Sequence, residues 1–167
     1  MHDPFFERTV VLVFHHDEDG AIGVVINKAV DFALHEVIEL DPNVDPAPYR
    51  SSPVGWGGPV ETGSGTVITR GEVTEDEGWA TAGGLYVTRS QEALQRLLKR
   101  GEPLLLCLGY AGWGAGQLDR ELEEGGWLFT DVDAQIVMDL PMERRYGAAL
   151  ASLGLSEHMV WMQPISE

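Results

Sequence analysis

At 167 residues, with 44% of them apolar, the chain is long enough to bury one core and short for two. Eleven basic residues against 27 acidic ones leave a formal charge of −16, a field that repels phosphate backbones and anionic membrane surfaces and so argues against direct nucleic-acid binding. The longest apolar runs, Val10 to Phe14 and Leu104 to Leu108, fall far short of the roughly 20 residues that span a bilayer. The N-terminus, MHDPFFERTV, has no basic-then-apolar leader pattern, and the lone Cys107 cannot close an internal disulfide; both fit a cytoplasmic protein.

From Thr9 the sequence reads TVVLVFHH-DEDG-AIGVVIN. Asp19-Gly20 is a strong hairpin signal, because these residues tolerate the positive φ angles of a tight turn. The spacing predicts strands over Thr9 to His15 and Ala21 to Asn27, and their apolar character on both faces places the hairpin inside the sheet. Asp31 is expected to N-cap a helix through Leu40, with Leu34, Val37 and Ile38 on one face, ended by Asp41-Pro42. The following DPNVDPAPYRSSP carries four prolines and reads as an irregular surface connection, then Trp56-Gly57-Gly58-Pro59-Val60 as a tight turn.

Thr66 to Arg70 and Leu85 to Arg89 read as a second strand pair around a solvated acidic excursion, GEVTEDEGWATAGG. Ser90 is a good N-cap for QEALQRLLKR, with Ala93, Leu94, Leu97 and Leu98 as its buried stripe and Gly101 as its stop. Leu104 to Leu108 is expected to be a central strand, Gly109 to Gly114 a loop, and Ala115 to Glu124 a helix stopped by Gly125-Gly126. Trp127 to Phe129 reads as extended, and Asp133 to Met138 fits a strand or a helical turn. Pro141 opens a last helix running to Leu153-Gly154, with Tyr146, Ala149, Leu150 and Leu153 inward.

Several groupings invite chemistry. GYAGWGAGQ lies between a strand and a helix, where backbone amides can hold an anion, but it has neither Gly-x-Gly-x-x-Gly nor a Gly-Lys-Ser/Thr end. Its glycines serve equally well in a tight crossing with Trp113 wedged into it. His15, His16 and Asp17 sit at the hairpin tip. Neighbours on a strand point to opposite faces, so the two imidazoles do not converge on a metal and a polar tip is the better reading. Cys107 is flanked by leucines with no adjacent cation, which favours a buried hydrophobe over a nucleophile. Trp56, Trp79 and Trp113 read as core or interface anchors. No Gly-x-Ser-x-Gly elbow and no His-Glu-x-x-His motif occurs, and no metal or cofactor is expected.

Together the segments from Asp3 to Leu12, His16, and from Gly20 to Asn27 resemble the N-terminal signature of the AlgH/YqgE family of bacterial proteins. Gly57-Gly58-Pro59-Val60 and the stretch from Leu108 to Leu118 are similar to its two later signatures, with Glu121 and Trp127 following in place. The resemblance implies a single α/β (α+β) domain in which a bent or bifurcated mixed β-sheet forms a pseudo-barrel with flanking helices. It implies no mechanism, since the family is largely uncharacterised and its label of transcriptional regulator rests on indirect association. Family members usually carry a further strand before Asp-Pro-x-Phe, where this chain starts at Met1-His2. They often have a Leu-His pair after the Gly-Gly-Pro-Val turn, where this chain has Thr66-Val67-Ile68-Thr69, so no role of that histidine transfers.

Three functions are weighed on this basis. The leading one is a non-enzymatic module that binds a small molecule or a protein, a second copy of the chain included. Its candidate contacts are Asn27, Gly57, Gly58, Pro59, Tyr110, Trp113, Gly116 and Gln117. The second is an enzyme on a small substrate, which requires His16, Asp17, Asn27 and Gln117 to converge in one cleft. The third, a DNA-binding regulator, requires a basic face or a helix-turn-helix, and the sequence offers neither.

Overall fold

A computed structural model describes residues 7–50 and 52–156. In chain order the elements are β1 (Val11–Asp17), β2 (Gly20–Val25), β3 (Ala29–Ala33), α1 (Leu34–Val37), β4 (Pro53–Trp56), β5 (Val60–Thr69), β6 (Gly78–Ala80), β7 (Tyr86–Thr88), α2 (Gln91–Lys99), β8 (Leu104–Gly114), α3 (Gln117–Glu123) and α4 (Met142–Ala151). Single 3-10 turns cover Ala47–Tyr49 and Ala82–Gly84, and a π turn covers Gln135–Asp139. The Asp-Pro-Phe-Phe part of the N-terminal signature lies outside the described residues.

Everything is built on β8. Its first half pairs antiparallel with β5 and parallel with β4 (Val54↔Leu106, Trp56↔Leu108), and its second half leaves β4 and pairs with β2 (Ala21↔Trp113, Gly23↔Ala111). That exchange of partners along one strand is the bifurcation, and the parallel β4 makes the sheet mixed. The main strand order is β1-β2-β8-β5-β7-β6, with β3 paired to β4. The two ends of that order approach each other through the rings of Phe14 on β1 and Trp79 on β6, 4.8 Å apart, so the antiparallel sheet nearly closes into a barrel flanked by helices.

The apolar run LLLCL serves two cores. Leu104 and Leu106 pack with the stripe Ala93, Leu94, Leu97 and Leu98 of α2. Leu105 and Cys107 face Phe14, Val24, Ile26 and Ile68, joined by Val137 and Met142 from the C-terminal helical region. Beyond Gly109 the alternation changes parity. Ala111 and Trp113, which unbroken alternation would put with Leu105 and Cys107, instead pack under Leu118 of α3. Gly109 sits at φ 79°, and a residue in that conformation acts as a bulge that resets which face the strand shows.

Several expectations are corrected. The segment from Gly109 to Gly114 is strand, not loop, because its glycines allow neighbouring backbone to close in rather than the chain to turn. The helix expected over Asp31 to Leu40 shrinks to one turn: β3 pairs with β4 (Ala29↔Gly55, Ala33↔Pro53), and that pairing overrides the Asp31 cap. The first hairpin is shifted by one to two residues toward its turn, and only β2 is interior; β1 ends the strand order, though it is covered on both faces, by Leu12 and Phe14 on one and Val11 and Val13 on the other. The acidic excursion contains β6. Residues 127–129 form no strand, and Leu128 and Phe129 are exposed. On α4 the inward residues are Met142, Arg145 and Leu150, while Leu153 is exposed and Tyr146 and Ala149 are half-buried. The helix α2 keeps its expected limits, with Ser90 Oγ accepting the Ala93 N–H at 3.1 Å and Gly101 at φ 67° past its end.

Candidate functional site

The Gly-Gly-Pro-Val segment crosses β8 in backbone contact. Gly57 donates its N–H to the Leu108 carbonyl at 2.7 Å and accepts from the Val25 N–H at 2.8 Å, so one residue ties β2 to β8. A Cβ on Gly57 would lie 2.3 Å from the Gly109 oxygen, and one on Gly58 2.2 Å from the Tyr110 carbonyl. Both obstacles are backbone. The glycine backbone of this segment is therefore committed to the crossing itself, with Pro59 exposed at its rim.

Around Trp113 a carboxylate gathers three donors. Glu121 accepts from Trp127 Nε1 at 2.8 Å, Gln117 Nε2 at 2.9 Å and Trp113 Nε1 at 3.2 Å, while Gln117 Oε1 accepts the Gly114 N–H at 2.9 Å. The two indoles meet edge to face, 5.9 Å between centroids. Burial works against the Glu121 charge, but the three donors more than offset it and hold its pKa below the ordinary glutamate value. Trp113 and Gln117 thus clasp α3 to β8. Gly116, at φ 70°, opens the seven-residue α3.

Asn27 is a clamp of a different kind. Its Oδ1 accepts the Val10 N–H at 2.8 Å and its Nδ2 donates to the Arg8 carbonyl at 2.9 Å, fixing the chain that leads into β1. The remaining enzyme candidates sit at the other end of that hairpin. His16 reaches Asp119 of α3 at 3.2 Å, and Asp17 is engaged by His15 at 2.9 Å and by the Asp19 N–H. Gln117 is nearby through Gly114, which pairs with Gly20. Asn27 lies seven residues along from Gly20, about 20 Å of extended chain, so the four side chains do not converge on a common point. Among the described residues no group of three or more His, Cys, Asp or Glu side chains could hold a metal. Cys107 is fully buried, and that burial pushes its thiol up to about 12 despite the opposing charge of Arg145.

The cluster that does face outward centres on Tyr110. Arg89, at the end of β7, lays its guanidinium over the Tyr110 ring, 4.6 Å from the centroid, and reaches Glu61 at 3.2 Å and Ser64 Oγ. Glu61 is a non-glycine residue at φ 49°, and the Arg89 Nε is buried with no acceptor among the described residues. Burial and the neighbouring Glu61 carboxylate raise the Tyr110 pKa, against the pull of Arg89. Along β8 from Tyr110, Gly112 and Gly114 are exposed and leave bare backbone on the same face. Arg89, Glu61 and Ser64 were not foreseeable from local pattern: they come from two segments, β5 and the end of β7, that the β5–β7 and β5–β8 pairings bring to Tyr110.

The profile of the AlgH-like family spans residues 1–158. The chain belongs to the AlgH-like family. It is 42% identical over 164 residues to a UPF0301 protein of Paraburkholderia phymatum, covering 96% of this chain and 86% of that one. A UPF0301 protein of Ralstonia nicotianae is 38% identical over 163 residues with the same coverage. Among solved structures, the AlgH protein of Pseudomonas aeruginosa superposes with a TM-score of 0.76 at 38% identity, over 98% of this chain and 88% of that one. A Corynebacterium diphtheriae protein, DIP2367, shares the fold, with a TM-score of 0.71 at 23% identity over 90% of this chain and 80% of that one.

In AlgH-like terms, the signature residues divide by what they touch. Gly57, Gly58, Asn27, Trp113 and Gln117 hold backbone segments together, whereas Tyr110 is half-buried, its ring beneath Arg89 and its hydroxyl bonded to Glu61. No helix among the described residues is long and apolar enough to cross a membrane.

Proposed function

We propose that this AlgH-like protein is a cytoplasmic, non-enzymatic binding module that recognises a protein partner across the surface formed by Tyr110, Arg89, Glu61 and Ser64, with the bare backbone of Gly112 and Gly114 beside it. The observation that carries this reading is the strained, incompletely satisfied arrangement there. A glutamate at positive φ and an arginine whose buried Nε has no acceptor among the described residues are both costs to the folded chain, and such costs persist at surfaces used for recognition. Tyrosine and arginine are also the side chains that anchor interfaces, since each offers a large flat contact at small entropic cost. The charge of −16 argues against DNA as the partner.

The test is affinity capture from the native host with wild-type protein and with Arg89→Ala and Tyr110→Phe, each first shown to unfold at an unchanged denaturant midpoint. The reading requires that a specific partner be recovered by the wild type and lost with Arg89→Ala. Equal recovery by all three proteins, or recovery of nucleic acid that survives moderate salt, refutes it.

A further inference from the structure

A second site lies away from the Tyr110 surface and stands independently of it. Arg145 projects inward from α4 and is 4% exposed. Its Nε donates to the Leu140 carbonyl at 3.0 Å and its Nη1 to the Ile26 carbonyl at 2.5 Å. Both acceptors are neutral. Among the described residues no carboxylate lies within ion-pair distance of this guanidinium, Glu143 acting on it only from farther off, although 27 acidic residues are present in the chain and Arg70, Arg89 and Arg96 each have a contact pair. A buried charge that lacks a counter-charge is costly, and arginine does not escape by losing its proton.

The remaining nitrogen shows where the missing partner belongs. Nη2 has no acceptor among the described residues, yet it is not sealed off. Arg145 lines a cleft of about 230 Å³ whose walls include Tyr49, Ser52, Gly101, Leu104, Leu105 and Met138. The walls are mostly apolar; Arg145 and Ser52 are polar residues among them, while Tyr49 gives its hydroxyl to the Glu102 carbonyl. Met138 and the Leu140 carbonyl are placed by the π turn Gln135–Asp139, a local irregularity of the kind that recurs at functional sites.

We propose that this cleft binds a small monocarboxylate, its carboxylate on the open edge of the Arg145 guanidinium and its aliphatic body against Leu104, Leu105 and Met138. One negative charge neutralises one buried positive charge, and the planar fork suits a carboxylate. A phosphate would bring a second charge into an acidic protein with a single cation to meet it. At about 30 Å³ per water-sized group, the cleft takes about seven heavy atoms, which is the size of a short-chain acid such as butyrate or 3-methylbutyrate.

The test titrates the full chain with 3-methylbutyrate by calorimetry and by backbone amide NMR, with the neutral amide 3-methylbutyramide and inorganic phosphate as controls. Saturable binding of the acid is expected, with shifts at residues 52, 101, 102, 104, 105 and 138, and at least about tenfold weaker binding of the amide. Arg145→Met removes the charge but also two backbone contacts, so Ser52→Leu is tested alongside: it fills the cleft and leaves Arg145 in place. Loss of acid binding in a folded Ser52→Leu protein supports the site. Equal binding of acid and amide, no binding of either, unaltered binding in Ser52→Leu, or tighter binding of phosphate than of the acid each overturns it.

Discussion

The substitution Gly57→Ala bears directly on whether the glycines of the Gly-Gly-Pro-Val signature are structural. Gly57 does not need a positive φ, so the effect is steric alone. The added Cβ would meet the Gly109 oxygen at 2.3 Å, Val24 Cγ2 at 2.9 Å and the Cys107 Cβ at 3.0 Å. An ordinary contact with that oxygen requires the two segments to separate by about 1 Å, the kind of backbone shift that overpacking costs at about 1–3 kcal/mol. The same separation stretches both backbone hydrogen bonds of Gly57, to Leu108 and from Val25, at about 1 kcal/mol each. The sum is about 3–5 kcal/mol, a large part of the 5–15 kcal/mol that typically holds a domain folded. Guanidinium denaturation followed by tryptophan fluorescence measures it, with Gly63→Ala as the control, since a Cβ there meets nothing within 4 Å. A Gly57→Ala protein within about 1 kcal/mol of wild type would refute the crossing as described.

Glu121→Gln leaves one carbonyl oxygen for three donors, so a loss of about 1–3 kcal/mol and an altered near-ultraviolet signal from Trp113 and Trp127 are expected; unchanged spectra would contradict the clasp. Glu77 is held down to about 2 by its bidentate bonds from Arg96, with the Thr74 N–H adding to them. Its folded pKa lies below the ordinary 4.5, so its contribution is full above that value and disappears as the pH falls toward 2. The stability difference between wild type and Glu77→Gln should accordingly shrink between neutral pH and pH ~3, and a constant difference would count against the pairing. The Cys107 thiol, buried and raised to about 12, should resist iodoacetamide at neutral pH and react only at the rate of unfolding. Fast alkylation of the native protein would show that the thiol is accessible.

What could be read ahead of the structure follows from how local the signals are. The helix α2 was legible because its cap at Ser90, its four-residue apolar stripe and its stop at Gly101 are all contained in a dozen residues and agree with one another. The β1–β2 hairpin was legible from Asp19-Gly20. The strand β8 beyond Leu108 was not, because a glycine that lets another segment approach looks the same in sequence as a glycine that turns the chain. Only the positions of Gly57 and Gly58 distinguish the two. The short β3 was hidden for a related reason: its pairing with β4 is non-local, and Asp31 offered a plausible local alternative. Arg145 left one trace that was open to reading, a charged residue three positions after Met142 on the inward stripe of α4. Of the Arg89–Tyr110–Glu61 cluster only Tyr110 was legible, inside the stretch from Leu108 to Leu118; Arg89 and Glu61 left no trace, since they are ordinary residues until β5 and β7 bring them to β8.

The central claim, that the chain recognises a partner through this cluster, is tested most directly by amide hydrogen exchange on the captured complex. Protection confined to residues 61–64, 89 and 110–114 is the predicted footprint. Protection over the outer face of α2 or the hairpin tip at His15 to Asp19, with residues 61–64 and 110–114 unchanged, would contradict it.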